Sequence, residues 1–241
     1  MTELEQQHLE TLQRELSRKV IVPNRENSFV PCTDDELIFT LDVQYVGEEG
    51  FVALDVMSFG GEHVGIFVSR QRATFPYIPQ FFSFREAPLL LNLIRGVMSE
   101  HSLQPALLLI DGHGLAHPRK FGIASHVGVE MNVPTIGCAK ETLMRYTGEL
   151  GELCGKTLPV VLHGEEVGRV LRTQNGKNPV FVSVGHLVEL GVACEIVLNF
   201  SSAYRISEPL RRADQAARAF ARGEGRIFWG EKSLAFCELS T

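Results

Sequence analysis

The chain has 241 residues, 44% of them hydrophobic and 22% charged, with a formal net charge of -6. That is the composition of an ordinary globular protein, long enough for one large domain or two small ones. No apolar run approaches the length of a membrane span, and the acidic balance gives no global attraction to nucleic acid, although a local cationic face around a metal site can suffice.

The first stretch, 3–19, carries Leu4, Leu9, Leu12 and Leu16 at roughly helical spacing and reads as an amphipathic helix packed on the main body. It is charged and lacks an apolar signal core, so secretion is not expected. The five cysteines, Cys32, Cys138, Cys154, Cys194 and Cys237, show no metal-ligand pairing and fit reduced thiols in a cytosolic protein. After a polar loop, runs at 37–45, 50–59 and 63–69 are separated by turn-forming glycines and predict three antiparallel strands. The segment 75–88 is aromatic and proline-rich, a stiff loop displaying large side chains, and the spacing predicts a helix over 88–100. The unbroken apolar run Ala106-Leu107-Leu108-Leu109-Ile110 predicts a strand buried on both faces. Helices are expected over 118–130, from 140 to 146, over 187–198 and over 209–222, and further strands over 134–137, 159–162, 167–172 and 180–182, with a turn at Asn175-Gly176. Residues 1–222 read as the core of a single domain spanning 1–241. The tail 223–241 is of uncertain order, with Phe228, Trp229 and Phe236 pointing to packing on something.

This order of elements predicts an α/β layer with a central mixed sheet flanked by helices. Ligands in such sheets collect at the carboxyl ends of strands, where Asp111 follows Ile110 and opens Asp111-Gly112-His113-Gly114. Asp42 lies inside the apolar strand Phe39–Tyr45, which is costly unless the carboxylate is paired, binds a cation or points outward. Neighbouring strands would set Asp42 beside Asp111, the arrangement of ribonuclease-H-like nucleases. Glu86 is a third candidate, although Ser83-x-x-Glu86 also fits a capping box. Three carboxylates from separate elements can hold Mg2+ or Mn2+ for attack on phosphate. Lys140 could neutralise charge on that phosphate or be a solvated lysine. His113, His117 and His126 raise the alternative of a zinc hydrolase, against which Gly112, Gly114 and Pro118 argue by breaking any helix. His186 before a helix reads most often as a cap or surface residue. Tyr77 between Pro76 and Pro79 can wedge into a base stack or pack on the core.

The chain resembles the endonuclease V family in Pro76-Tyr77-Ile78-Pro79, Ser83-Phe84-Arg85-Glu86, Asp111-Gly112-His113-Gly114 and His117-Pro118-Arg119. Phe121-Gly122-Ile123-Ala124-Ser125-His126, Pro134-Thr135-Ile136-Gly137, Leu171-Arg172-Thr173, Gly185-His186, Glu208-Pro209 and Arg212-Ala213-Asp214 continue the resemblance in order. It implies a ribonuclease-H-like fold and Mg2+-dependent hydrolysis (with Mn2+ able to substitute) of the second phosphodiester 3' to inosine in DNA or RNA, leaving 3'-hydroxyl and 5'-phosphate. By resemblance Asp42 and Asp111 are metal ligands and Glu86 completes the acidic site. Lys140 and His186 assist at the phosphate or metal, Tyr77 is the wedge of the Pro79-containing loop, and Gly112 with Phe82 lines the base pocket; His117 receives no role. The expected protein is a cytoplasmic monomer acting in DNA repair or inosine-RNA processing. A non-catalytic inosine-binding protein of the same fold is the alternative. The chain departs from the family pattern at Gln80, where glycine is frequent, at Leu187, where arginine is frequent, and at Ser207.

Overall fold

The computed structural model of the chain describes residues 2–230 and 232–239. The apolar runs form a ten-stranded mixed sheet in the order β6-β7-β8-β5-β4-β1-β2-β3-β10-β9. β1 (Leu37–Val46), β2 (Glu49–Ser58) and β3 (His63–Arg72) are the expected antiparallel meander. β4 (Pro105–Ile110) lies parallel to β1, and β5 (Thr135–Ala139) parallel to β4. β6 (Thr157–Leu162), β7 (Glu165–Leu171) and β8 (Val180–His186) extend the sheet beyond β5 in antiparallel fashion. The tail is ordered into β9 (Arg226–Trp229) and β10 (Lys232–Glu238), a hairpin whose second strand joins β3 in parallel.

Side chains alternate across the sheet, so each central strand feeds two cores. On one face Phe39, Leu41, Leu108 and Ile110 meet Leu90, Leu93 and Ile94 of α2 (Phe82–His101) and Ile123 and Val127 of α3 (Ile123–Met131). On the other face Ile38, Leu107, Leu109 and Ile136 meet α4 (Leu190–Asn199) and Leu210 of α5 (Glu208–Ala221). Further along α5, Ala216, Ala217 and Ala219 pack on Ala53, Ile66 and Val68. The alanines of the helix, with Ala53 opposite, let it lie close to β2 and β3. It is fixed there by the buried guanidinium of Arg212, which donates from Nε and Nη2 to the two oxygens of Asp55 at 2.8 Å each.

Several local expectations shift. α2 begins at Phe82, with Pro88 inside it, six residues earlier than the proline suggests. No side chain caps it, and Ser83 Oγ is buried without a partner, so the Ser83/Glu86 capping box does not form. Tertiary anchors hold the early turn instead: Arg85 donates to the Phe75 carbonyl at 2.6 Å and lies over the Tyr45 ring at 4.5 Å. α3 starts only at Ile123, because Lys120 takes a left-handed backbone (φ 51°). Residues 140–146 form no helix; Thr142 Oγ1 accepts from the Met144 N–H, an alternative to helical bonding. α1 (Glu3–Ser17) is capped by Thr2 in a capping box with Glu5, but Leu4 is 77% exposed, and its fully buried residue is the polar Gln13. Among the described residues no helix is long and apolar enough to cross a membrane.

Candidate metal centre and base cavity

The parallel register of β1 and β4 sets Leu41 beside Ile110, and the Asp111 N–H donates to the Leu41 carbonyl at 3.1 Å. Asp42 and Asp111 therefore come level at the carboxyl ends of two adjacent strands. By alternation Asp42 faces the same side as Ile38, the side covered by α5. Asp214 on α5 meets them there. Among the described residues these three carboxylates are the group able to close on one ion, with one oxygen from each within 4.8 Å of the others.

The sequence reading missed Asp214, although it lay in the quoted Arg212-Ala213-Asp214 match. The signal available was a carboxylate on the amphipathic helix 209–222; only the packing of that helix on the sheet makes it a partner for Asp111.

Lys140, at the end of β5, bridges the cluster, with Nζ 2.5 Å from Asp111 Oδ2 and 3.0 Å from Asp214 Oδ1. Arg218 Nε lies 3.0 Å from Asp214 Oδ2. Burial pushes the carboxyls of Asp42, Glu86 and Asp111 above their ordinary range. Repulsion by Asp111 adds to this at Asp42, and repulsion by Asp42 and Asp111 adds to it at Glu86, while Lys140 opposes it at Asp111. For Asp214 burial acts the same way, but the bonds from Lys140 and Arg218 outweigh it and lower its carboxyl. Burial disfavours the charged Lys140, yet Asp111, Asp42 and Asp214 raise its pKa overall. Crowded, partly desolvated carboxylates compensated by one ammonium and, at Asp214, by a guanidinium are an oxygen-only donor set, which suits a hard divalent cation. Glu86 is buried on α2, close enough to feel Asp42 and Asp111, but stands outside the converging group.

The loop after Asp111 is folded tightly against β8. Gly112 has φ +153°, and a Cβ there would stand 2.4 Å from Ile123 Cγ2; a Cβ at Gly114 would stand 2.0 Å from the Val184 carbonyl oxygen. Both glycines are thus required by close approach. The loop is pinned by Gly114 N–H to Ser183 Oγ at 2.8 Å and by Leu115 N–H to the Val184 carbonyl at 2.8 Å. It forms one wall of a cavity of about 480 Å3, lined also by Glu86, Asp111 and Leu143, with Tyr77, Pro79 and Phe82 opposite. That volume is ample for a nucleobase. Tyr77 is 69% exposed on its proline-bracketed loop, its ring 5.6 Å from that of Phe82 in an edge contact.

The loop is held at its far end by Gln80, whose backbone is left-handed (φ 68°). Its carbonyl accepts from Gln13 Nε2 at 3.1 Å, His117 Nε2 at 3.1 Å and Arg119 Nη2 at 2.9 Å. His117 Nδ1 accepts from the Arg119 N–H at 3.2 Å, so both ring nitrogens are engaged and the ring serves the loop in its neutral form. Burial, with Arg119 nearby, lowers its pKa to about 4. His126 packs between the rings of Phe84 and Phe121. His113, His117 and His126 thus do not gather as a metal set.

His186 is not brought to the cluster. It pairs with Thr135, at the opposite end of β5 from Lys140. There its Nδ1 accepts from the Ile21 N–H at 3.1 Å, a bond that ties the chain after α1 to the sheet. β8 runs antiparallel to β5, which carries its last residue away from the strand ends where Asp111 lies.

The family model for Endonuclease V matches residues 14–215. Endonuclease V of Dictyoglomus turgidum is 37% identical over 214 residues, 88% of this chain and 90% of its own. Among solved structures, Endonuclease V of Streptomyces avermitilis is 36% identical with a TM-score of 0.80, covering 92% of this chain and 94% of that one. Ciona intestinalis Endonuclease V, solved with a 24mer DNA containing an inosine, is 24% identical with a TM-score of 0.79 over 92% of this chain and 99% of its own, a likeness of fold. By matched length and identity, the chain belongs to the endonuclease V family.

Proposed function

We propose that the protein is a Mg2+-dependent endonuclease that recognises inosine in DNA or RNA and hydrolyses the second phosphodiester 3' to it, leaving 3'-hydroxyl and 5'-phosphate ends. The observation that carries this reading is the convergence of Asp42, Asp111 and Asp214 with Lys140 at the edge of a base-sized cavity. Asp42, Asp111 and Asp214 would hold the cation, Mg2+ or in its place Mn2+, with Glu86 behind them. A bound divalent cation supplies Lewis acidity toward phosphate and water. Lys140, already drawn to this negative cluster, would oppose charge developing on the phosphate. Tyr77, exposed on its loop, would fill the gap left by a displaced base. Backbone groups of the Gly112 loop, with Phe82, line the cavity that would take hypoxanthine. The continuous sheet supports one domain over 1–241, and we infer a cytoplasmic monomer.

The test is cleavage of matched DNA and RNA single strands, with and without one inosine, in Mg2+ and in EDTA. The expected result is a cut one linkage past the inosine, lost in EDTA and in Asp42→Ala, with the faster sugar naming the substrate. Selective inosine binding without any cut in Mg2+ or Mn2+ would replace nuclease by a non-catalytic binder.

A further inference from the structure

The C-terminal hairpin lies beyond the residues matched by the family model, which end at 215. With the last turns of α5 it frames a second cavity of about 500 Å3, lined by Gln215, Arg218, Arg222, Arg226 and Phe228, with Glu224 as its acidic member. Asp214, Arg218 and Arg222 follow one another at four-residue spacing, so they form a line down one face of α5 with steps of about 6 Å. The first is a carboxylate of the metal cluster, and the second bonds to it. A row of guanidinium groups therefore starts at the candidate catalytic centre and runs outward. Glu224 is already engaged by Arg222, at 2.7 Å and 3.1 Å. Arg226 makes no ion pair among the described residues. Alternation along β9 puts Arg226 and Phe228 on the exposed face and Ile227 in the core. Phe228 is 74% exposed, so its ring is open to stacking.

A cationic groove with an exposed aromatic is the chemistry that holds single-stranded nucleic acid, phosphates on the guanidinium groups and a base on the ring. The direction follows from the fold. The base cavity opens on the side of α2 and α3, whereas α5 covers the opposite face of the sheet. A strand with its inosine in that cavity and its cut linkage at the carboxylates must continue toward α5. We propose that the groove between α5 and the hairpin binds the strand on the 3' side of the cut, through Arg218, Arg222, Arg226 and Phe228. This inference rests on the nuclease reading above.

The experiment compares single-stranded inosine oligonucleotides whose 3' arms extend about three or about fifteen nucleotides beyond the cut, with matched 5' arms as controls. For the intact protein in Mg2+, the long 3' arm should lower KM about tenfold without changing kcat, and 5' lengthening should have no such effect. Arg226→Glu and Phe228→Ala should each lose most of that gain while cutting the short-arm substrate like wild type, which shows that they are folded. Arg226→Glu should also flatten the salt dependence of KM for the long arm, by a slope change of about one. The proposal is overturned if wild type gains nothing from the 3' arm, if the gain follows the 5' arm, or if both variants keep the full gain. Should wild type cut no inosine strand at all, the nuclease reading fails separately. The groove is then judged by anisotropy with a labelled plain strand, where equal affinity of wild type and Arg226→Glu overturns it.

Discussion

The buried side chain of Gln13 donates from Nε2 to the carbonyl of Gln80 at 3.1 Å, so a polar residue on the first helix supports the loop that displays Tyr77. The same amide lies 3.4 Å from the Phe121 carbonyl, and its oxygen accepts from Arg119, which stacks over Phe81 at 4.5 Å. The other end of the loop is held by Arg85 at the Phe75 carbonyl. Two guanidinium groups, each over an aromatic ring, thus bracket the loop that carries Tyr77.

Gln13→Ala should therefore act at a distance. It leaves buried partners unsatisfied, which costs about 1–3 kcal/mol. It should lower Tm and raise KM for an inosine strand while leaving Mg2+ affinity unchanged. A variant with lowered Tm but wild-type KM would reduce Gln13 to a packing residue.

The carboxylate cluster predicts a pH-dependent metal effect. Raised carboxyls at Asp42, Glu86 and Asp111 contribute stability that is present below the unfolded pKa of about 4 and is lost as pH rises through the folded values. Asp214, lowered, works in the other sense, as do the buried histidines His113, His117, His126 and His186 below about pH 6.5. The cleaner quantity is the difference in Tm between Mg2+ and EDTA at each pH. It should grow as pH rises from about 5 to about 8, because the cation binds the deprotonated set. Asp214→Asn should shrink it at every pH. A difference independent of pH, or unaffected by Asp214→Asn, would argue against a shared site.

Lys140 is the compensating charge of this cluster, so its removal has two separable effects. Without metal, Lys140→Ala should lower Tm by exposing the three carboxylates to one another. With saturating Mg2+, thermal stability should return toward wild type, while kcat stays down by about 10²- to 10³-fold. Wild-type kcat in that variant would limit Lys140 to holding the acids apart.

Tyr77 is exposed, so its replacement should leave the fold alone. Tyr77→Ala is expected to change the unfolding free energy by no more than about 0.5 kcal/mol. It should also narrow the difference in affinity between inosine-containing and plain duplexes, a difference that Tyr77→Phe should retain. Undiminished discrimination in Tyr77→Ala would remove the wedge role.

Much of this site was legible before the fold. A fully apolar run ending in an acidic residue marks the strand end at Asp111, and an acid inside Phe39–Tyr45 marks Asp42 as a candidate, because burial cost makes such residues conspicuous locally. The proline bracket marked Tyr77 for the same reason: it is chemistry contained within four residues. The misjudged features were of two kinds. The start of α2 turned on a tertiary bond, that from Arg85 to the Phe75 carbonyl, and residues 140–146 on the bond from the Met144 N–H to Thr142 Oγ1, which competes with helical bonding. Asp214 and His186 turned on where an element's end falls in space.

The sequence by itself determined which residues are apolar strands, where carboxylates interrupt or end them, and hence the fold class and the two central acids, since a two-residue alternation and a burial penalty act over a few neighbours. Only the tertiary structure decided that alanines seat α5 on β2 and β3 so that Asp214 becomes the third carboxylate, that the antiparallel run of β8 carries His186 to the far end, and that the tail closes a cationic groove beside the site. Those placements depend on strand order and register, which are set by contacts between segments far apart in the chain and leave no local pattern to read.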